Sequence, residues 1–335
     1  METKNKNNSV ILRLEDVKKY FPVRRGFLQK IHGWEKAVDG VSFEIERGKT
    51  MGLVGESGCG KTTVARLILK LLESDAGKII FRDRDISRFS EKEMKPYRKE
   101  IQIIFQDPFG SLNPRMTVGQ SIEEGIRILG KHAKNRNQRL ETLLKMVGMS
   151  PDSTDRYPHE FSGGQRQRIG IARALSVEPS LIVCDEPISA LDVSIQAQII
   201  NLLKDLQDQL GLSYLFISHD LNVVGYLCNT ISVMYHGHIM EFAPSEDIFN
   251  HPHHPYTISL LSAIPDPDPD KKWYSKLSNG RIADSDGVPE GCKYQDRCSI
   301  AETFCRKEEI VFEKVGENHF VRCWKAAKNH GSSPD

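Results

Sequence analysis

The segment from residue 55 to residue 62 constrains this chain more than any other part of the sequence. It reads Gly-Glu-Ser-Gly-Cys-Gly-Lys-Thr and lies between a short apolar run, 50–54, and a run with helical apolar spacing, 61–72. Glycines allow a tight turn whose backbone N–H groups face phosphate oxygens, and the following helix adds the positive end of its dipole. The fixed positions of this pattern would coincide by chance in roughly one chain in a hundred of this length. We therefore predict that the chain binds ATP or GTP.

Nine residues of this loop are predicted to contact the nucleotide. They are Gly55, Glu56, Ser57, Gly58, Cys59, Gly60, Lys61, Thr62 and Thr63. Lys61 is expected to reach the β- and γ-phosphates, and the Thr62 hydroxyl is expected to bind Mg²⁺. The alternative, a glycine-rich turn without a ligand, is disfavoured by the strand and helix predicted on either side of the loop.

An acidic pair closes a second apolar run. Residues 181–184 are Leu-Ile-Val-Cys, and Asp185, Glu186 and a proline follow them. A carboxylate at such a strand end can hold Mg²⁺ through a water, which is the role predicted for Asp185. Glu186 can accept a proton from the water that attacks the γ-phosphate. Taken alone, this pair could be an ordinary acidic turn that closes a strand. Together with the phosphate loop it predicts hydrolysis of the nucleotide.

Apolar patterning predicts an α/β fold with a mostly parallel sheet. Period-two runs between residues 11 and 45 indicate an antiparallel β subdomain, and buried strands are predicted at 50–54, 101–105, 181–184 and 213–217. Residues 108–178 carry helical spacing and few strand signals, which predicts an inserted α-helical subdomain. Residues 194–210 predict a long helix, and residues 231–242 predict a hairpin that turns at Gly237.

A proline run divides the chain near its end. Pro265, Pro267 and Pro269 predict a linker after the α/β part. We therefore expect one domain over residues 1–264 and a small, irregular, cysteine-bearing extension over residues 265–335. The sequence shows no internal repeat.

The composition is that of an ordinary soluble globular protein. Hydrophobic residues make up 39% of the chain and charged residues 27%, and the formal net charge is +1. Because this charge is balanced, we expect no nucleic-acid partner. The apolar runs are too short to cross a bilayer, and the polar start lacks the apolar core of a secretory signal. A membrane connection is therefore expected to come through partner chains.

A serine and two glycines open a further helical run. Residues 162–168 read Ser-Gly-Gly-Gln-Arg-Gln-Arg, and such a helix start presents a hydroxyl and bare N–H groups that can bind an anion. By itself the segment would equally be a capped helix N-terminus. In its order along the chain it resembles the signature of the ATP-binding-cassette (ABC) ATPases, which contain a P-loop NTPase core. The predicted contacts here are Ser162, Gly163, Gly164 and Gln165.

The resemblance implies roles for four other residues. Gln106 would touch Mg²⁺ and the attacking water, and His219 would contact the γ-phosphate. Asp192, in the Ser-Ala-Leu-Asp segment 189–192, would belong to the loop that contacts the other subunit's active site. Tyr20 would stack on adenine. For Tyr20 local packing, and for His219 a structural role, remain the alternatives. In this family each nucleotide is held between two subunits. One subunit supplies the phosphate loop, and the other supplies the signature segment.

Two further segments narrow the resemblance. Residues 250–257, Asn-His-Pro-His-His-Pro-Tyr-Thr, and residues 111–115, Ser-Leu-Asn-Pro-Arg, closely resemble those of oligopeptide/dipeptide importer ATPases. This branch implies three kinds of partner: a second related ATPase, two membrane permeases and an external binding protein. The two ATPases would then form a heterodimer rather than a homodimer. The chain would then lie on the cytoplasmic face of the inner membrane. A nickel or other small-solute importer, or a soluble ABC ATPase, is the alternative.

Four cysteines crowd the end of the chain. Cys292, Cys298, Cys305 and Cys323 are spaced too widely for the close pairs of most structural zinc sites, and they do not match ferredoxin runs. The importer resemblance implies a [4Fe–4S] cluster on these thiolates, although residues 284–290 contain fewer prolines than the family usually has there. A zinc site or a metal-free tail is the alternative.

Overall fold

The computed structural model describes residues 9–26, 30–129, 135–264 and 291–329. The predicted proline linker at 265–269 and the approach to Cys292 at 284–290 lie outside the described residues. None of the described helices is both long enough and apolar enough to span a membrane.

A four-stranded antiparallel sheet opens the described chain. Its strands, in the order β2-β1-β4-β5, are β1 (Val10–Arg25), β2 (Lys30–Glu46), β4 (Ala76–Phe81) and β5 (Arg84–Asp85). The predicted antiparallel β subdomain is thus confirmed, with two more strands than the pattern indicated. Alternating apolar residues such as Leu12, Leu14, Val41 and Phe43 are buried on its inner face, as the pleat of a half-buried sheet requires.

The main sheet has eight strands in the order β11-β12-β10-β9-β3-β8-β7-β6. These strands are β3 (Thr50–Val54), β6 (Ile101–Ile104), β7 (Leu181–Asp185), β8 (Ser213–Ser218), β9 (Thr230–Tyr235), β10 (His238–Pro244), β11 (Glu313–Gly316) and β12 (His319–Val321). The five strands from β9 to β6 pair in parallel, and the other three pair antiparallel. Strands β3, β7 and β8 are buried along their whole length, which explains their continuous apolar sequences.

Helices cover both faces of the main sheet. They are α1 (Lys61–Ile68), α2 (Glu91–Met94), α3 (Tyr97–Glu100), α4 (Val118–Leu129), α5 (Arg136–Met146), α6 (Gly163–Leu175), α7 (Val193–Leu210), α8 (Leu221–Leu227), α9 (Ser245–Asn250), α10 (Pro255–Ser262), α11 (Thr303–Lys307) and α12 (Trp324–Asn329). Helices α4 and α5, two 3₁₀ turns and the start of α6 form the helical insertion between β6 and β7. The predicted fold class, an α/β core with antiparallel and helical subdomains, is confirmed.

The C-terminal extension joins the main sheet. Strands β11 and β12 form a hairpin, and β12 pairs with β10. The sequence pattern indicated an irregular tail and missed these strands, because three or four residues of mixed polarity carry no readable period. The buried carboxylate of Glu241 on β10 strengthens this junction: it accepts hydrogen bonds from the backbone N–H groups of His253 and His254 and from Nε2 of His319.

Candidate functional site

The predicted site residues gather at one edge of the main sheet. Strands β6, β7, β8 and β3 are neighbours that run in parallel, so their carboxyl ends meet at the same edge. The phosphate loop follows β3, Gln106 follows β6, Glu186 follows β7 and His219 follows β8. Sheet topology therefore assembles residues that lie up to 164 positions apart in the sequence.

The phosphate loop has a backbone that only glycine can adopt at two points. Gly55 has φ +153° and Gly60 has φ +112°. A Cβ at Gly55 would lie 2.1 Å from the Met234 carbonyl oxygen, and a Cβ at Gly60 would lie 2.1 Å from the Ala37 carbonyl oxygen. Both glycines are thus required by close approach as well as by φ. Ser57 and Gly58 are exposed at the tip of the loop, Cys59 is buried beneath it, and Thr63 is half-buried on α1.

Lys61 is held inside the loop. Its Nζ donates to the carbonyl oxygens of Gly55, at 2.7 Å, and of Glu56, at 2.9 Å. The residue is only 5% exposed and occupies the first position of α1. A buried ammonium whose partners are neutral carbonyls has charge left to neutralise an anion at the same helix N-terminus.

Thr62 and Asp185 offer hard oxygen ligands side by side. The Thr62 hydroxyl donates to Oδ1 of Asp185 at 3.2 Å. Asp185 is 8% exposed, and its burial raises the pKa of the carboxyl group. A hydroxyl beside a carboxylate near a phosphate site is the donor set that Mg²⁺ takes together with phosphate oxygens and waters, so these residues fit the predicted metal.

Glu186 is the centre of a polar triad. Its Oε2 accepts from Nε2 of Gln106 at 2.9 Å and lies 3.3 Å from Nδ1 of His219. The Glu186 side chain is 17% exposed, whereas that of His219 is 60% exposed. Glu186 also has φ +47°, an uncommon conformation for a residue with a side chain, and its N–H donates to Ile217 on β8. The structure therefore brings together three residues that the sequence analysis selected separately.

Tyr20 lies on β1 against the edge of β2. Its hydroxyl donates to Oδ1 of Asp39 at 2.5 Å, and Nζ of Lys36 lies 5.5 Å from the centre of its ring. Oδ2 of Asp39 also lies 3.4 Å from Nε2 of His238, and the neighbouring His238 ring and Tyr20 hydroxyl hold the pKa of the Asp39 carboxyl group well below its usual range. Tyr20 is thus fixed by its hydroxyl while its ring stays half-buried. Sequence reasoning missed Asp39, because nothing in a local pattern marks a carboxylate that supports a distant tyrosine.

Within the described part of the chain, the segment at residues 162–165 forms hydrogen bonds with its own neighbours along the chain. Ser162 caps α6 by accepting from the Gln165 N–H at 3.4 Å, and the Gln165 side chain accepts from the Ser162 N–H at 3.0 Å. Gly163 and Gly164 face Leu191 and Ile195, where a Cβ on Gly164 would lie 2.5 Å from the Ile195 side chain. This packing places the segment beside the start of α7, where Asp192 is the N-cap and the adjoining Val193 is 80% exposed.

The four C-terminal cysteines line one small cavity together with His254 and Trp324. All four are free thiols, and Trp324 donates its indole N–H to the Cys305 sulfur. Burial, with the neighbouring cysteines, raises the pKa of Cys292 to about 12. The donor set has the number and type that a cluster needs. Among the residues that the structure describes, however, no three ligating side chains are arranged to hold a metal ion, and the iron–sulfur cluster stays a prediction.

Two contacts to the phosphate loop were not predicted. The Glu56 N–H donates to the hydroxyl of Tyr256 at 2.9 Å, and the Glu56 carboxylate accepts two hydrogen bonds from Arg297 in the C-terminal extension. Tyr256 belongs to the segment 250–257, which the sequence analysis used only as a mark of resemblance. Contacts across 200 and 241 positions leave no local sequence signal.

Comparison with known proteins identifies the family. The profile described as ABC transporter matches residues 38–189, and the profile described as oligopeptide/dipeptide transporter, C-terminal region, matches residues 240–305. The oligopeptide transport ATP-binding protein AppF of Bacillus subtilis is 47% identical over 95% of this chain and 98% of its own length. OppF of the same organism, also an oligopeptide transport ATP-binding protein, is 53% identical over 94% and 97%.

Solved structures agree with this result. The structure of cbiO1 from Clostridium perfringens, part of the transporter complex cbiONQ, matches with a TM-score of 0.63 and 27% identity over 72% of this chain and 92% of that one. The ATP-binding cassette MJ0796, in a dimeric post-hydrolysis state with ADP and Pi, matches with a TM-score of 0.61 and 26% identity over 70% and 99%. The sheet topology, the phosphate loop and the near full-length relatives all indicate the same family. The chain belongs to the ATP-binding subunits of the ABC transporter family.

Proposed function

We propose that this chain hydrolyses MgATP as one subunit of an ABC importer for oligopeptides or dipeptides. The observation that carries the proposal is the shared carboxylate of Glu186, which meets Gln106 and His219 beside the Thr62–Asp185 pair. The names of the relatives support peptides as the cargo, because AppF and OppF are oligopeptide transport ATP-binding proteins. Residues 1–264 are the proposed nucleotide-binding domain with a helical subdomain at 108–178, and residues 265–335 are the proposed extension.

The proposed mechanism follows from the positions of the side chains. The phosphate loop N–H groups and Lys61 hold the β- and γ-phosphates, while Tyr20 stacks on adenine. Thr62, Asp185 and Gln106 would hold Mg²⁺, which would offset the charge that develops on the phosphate oxygens. Glu186 accepts the proton of the attacking water.

Two neighbours hold that carboxylate in place. Gln106 orients Glu186 by donating to Oε2, and it would contact the attacking water and Mg²⁺. His219 lies beside the same carboxylate oxygen and would contact the γ-phosphate. Because both side chains share one oxygen of Glu186, the other oxygen, Oε1, is left for the water. The ring of His219 is exposed at this edge of the sheet, where it can reach the γ-phosphate of a bound nucleotide.

The proposed active unit is a pair of cassettes. The segment Ser162 to Gln165 and Asp192 bond locally and border the exposed Val193, which suits a surface that completes the site of a second subunit. The dimeric state of the relative MJ0796 supports such a pair. We propose a heterodimer with a related ATPase beneath two permeases, fed by an external binding protein, with this chain on the cytoplasmic face of the membrane.

Affinity purification from membranes tests the assembly. The chain should bring down two membrane proteins and a second ATPase, and the Glu186→Gln variant in MgATP should retain the complex in its closed state. A chain that purifies alone from membranes and hydrolyses ATP as an isolated protein would contradict the importer assignment. Uptake assays with labelled peptides and with nickel then separate the two cargo classes.

We further propose that Cys292, Cys298, Cys305 and Cys323 bind a [4Fe–4S] cluster when iron and sulfide are supplied. The convergence of four thiols on one cavity supports this. Anaerobically purified protein should contain about four iron atoms and show a charge-transfer absorbance that Cys298→Ser removes. Stoichiometric zinc without iron would contradict the proposal, as would an apo-protein whose thiols all react with an alkylating reagent after anaerobic reconstitution.

A further inference from the structure

Arg297 of the C-terminal extension holds the phosphate loop directly. Its Nη1 donates to Oε2 of Glu56 at 2.8 Å and its Nη2 donates to Oε1 at 2.9 Å. This paired geometry aligns two hydrogen bonds with opposite charges. One polar contact therefore connects the extension to the part of the cassette that faces the nucleotide phosphates.

Aromatic rings fix the guanidinium in its place. The Arg297 guanidinium carbon lies 5.8 Å from the ring centre of Tyr235 and 5.5 Å from that of Tyr294. Tyr294 is 3% exposed and packs against both Tyr235 and Tyr256. Because rings on neighbouring elements limit its rotamers, Arg297 loses little further freedom when it binds Glu56.

Every polar group of Glu56, in the backbone and in the side chain, has a hydrogen-bond partner. Its N–H donates to Tyr256, its carbonyl oxygen accepts from Lys61, and its carboxylate accepts from Arg297. These contacts determine the direction of the first turn of the loop. The later N–H groups of the loop must point at phosphate oxygens, so an error at Glu56 would be passed on to all of them.

The pairing also removes an electrostatic conflict. Glu56 is an acidic residue inside a loop that binds a polyanion, and an unpaired carboxylate there would repel the phosphates. Arg297 neutralises it at 2.8 Å. The side chains of Arg297 and Glu56 are 26% and 41% exposed, so water screens the pair and its share of the overall folding stability is small. We therefore expect loss of the ion pair to lower the affinity for the nucleotide rather than the stability of the fold.

We propose that Arg297 is a positioning residue for ATP binding, supplied by the C-terminal extension to orient and neutralise Glu56 of the phosphate loop. The proposal rests on the nucleotide binding proposed above for this loop. It gives the extension a role in the ATPase cycle: Arg297 directly precedes Cys298, so the fold around the four cysteines sets the position of the guanidinium.

Titration of the full-length chain with a fluorescent MgATP analogue tests this inference. Arg297→Met should weaken binding about two- to tenfold, as expected for a partly screened ion pair next to a charged ligand, with kcat at saturating ATP nearly unchanged. Arg297→Lys should recover part of the loss, because the charge remains while the paired geometry is lost. The matched control is Arg306→Met, which removes a tail ion pair to Asp296 that does not touch the loop.

The double variant Arg297→Met/Glu56→Gln tests whether the unpaired charge of Glu56 causes the loss of affinity. If repulsion by Glu56 causes the loss, removal of its charge should restore much of the affinity. A double variant as weak as Arg297→Met would overturn the electrostatic part, and a folded Arg297→Met chain with wild-type affinity would overturn the whole inference. A wild-type chain that fails to bind MgATP would contradict the proposed function itself, which is a different result from either.

Discussion

Glu241 provides the sharpest stability prediction because it carries a buried charge at the junction of cassette and extension. The residue is 0% exposed on β10. Its Oε1 lies 2.7 Å from the His253 nitrogen and 2.8 Å from Nε2 of His319, and its Oε2 lies 2.9 Å from the His254 nitrogen. The carboxylate thus satisfies donors from both the segment 250–257 and strand β12.

Glu241→Gln keeps the shape of the side chain and changes its chemistry. One carboxylate oxygen becomes an NH₂ group, which faces N–H donors and cannot accept from them. At least one buried donor is then left without a partner, at about 1–3 kcal/mol, and the remaining bonds lose their charge assistance. We expect the free energy of unfolding to fall by about 2–4 kcal/mol, which lowers Tm by roughly 5–15 °C.

The pH dependence supplies an independent check. Burial by itself raises the pKa of Glu241, but the hydrogen bonds from His319 and from the two backbone N–H groups outweigh it and the pKa lies below its usual value. A carboxyl group of this kind stabilises the fold above its unfolded pKa, and that contribution is lost as the pH falls through the folded pKa. Wild-type protein should therefore lose stability on acidification more steeply than Glu241→Gln.

Differential scanning fluorimetry from pH 4 to pH 8 measures both effects, with Glu317→Gln in the exposed turn between β11 and β12 as the control. Hydrogen exchange should show the loss of protection concentrated in β10, β12 and the segment 250–257. A Tm for Glu241→Gln within about one degree of wild type at pH 7 would refute the assignment of a charged, fully bonded carboxylate.

Three further predictions concern the nucleotide site. Glu186→Gln should bind MgATP normally and lower kcat about 10²- to 10⁴-fold; undiminished turnover would discard Glu186 as the base. Tyr20→Ala should weaken ATP binding about tenfold but leave inorganic triphosphate binding unchanged, since only ATP has a base to stack; equal losses for both ligands in calorimetry would show a general defect instead. Gly60→Ala should abolish nucleotide binding because its Cβ would meet the Ala37 carbonyl oxygen at 2.1 Å, whereas Gly48→Ala, at φ +68° with nothing within 4 Å, should bind normally; binding by Gly60→Ala would refute the required close approach.

Local sequence patterns were sufficient for much of the core. The strand β3 was predicted at its observed bounds, Thr50–Val54, and the helix predicted at 194–210 is observed at Val193–Leu210. These elements have continuous apolar runs or a clear helical period, and burial enforces both. The helix predicted at 61–72 ends earlier, at Ile68, because the following residues include Lys70 with a left-handed backbone, φ +56°.

Other elements carried no readable pattern. Strand β5 has two residues and helices α2 and α3 have four each, so each covers about one period of its regular structure and shows no repeat that could be read. The hairpin of β11 and β12 is stabilised by pairing with β10 rather than by its own sequence. Such elements form because the surrounding structure supplies their partners.

The sequence by itself determined the chemistry available to this protein. A glycine-rich loop before Lys61 and Thr62, an acidic pair after an apolar strand and a capped Ser-Gly-Gly helix each have a local spacing that can be read directly. Only the tertiary structure decided how these parts meet: the parallel order of β6, β7, β8 and β3 brings Glu186 to Gln106 and His219. It also decided that Arg297 and Tyr256 support Glu56 and that Glu241 joins the extension to the cassette. The physical reason is that hydrogen bonds and ion pairs act over a few ångströms in space, and their distance along the chain leaves no trace in local sequence.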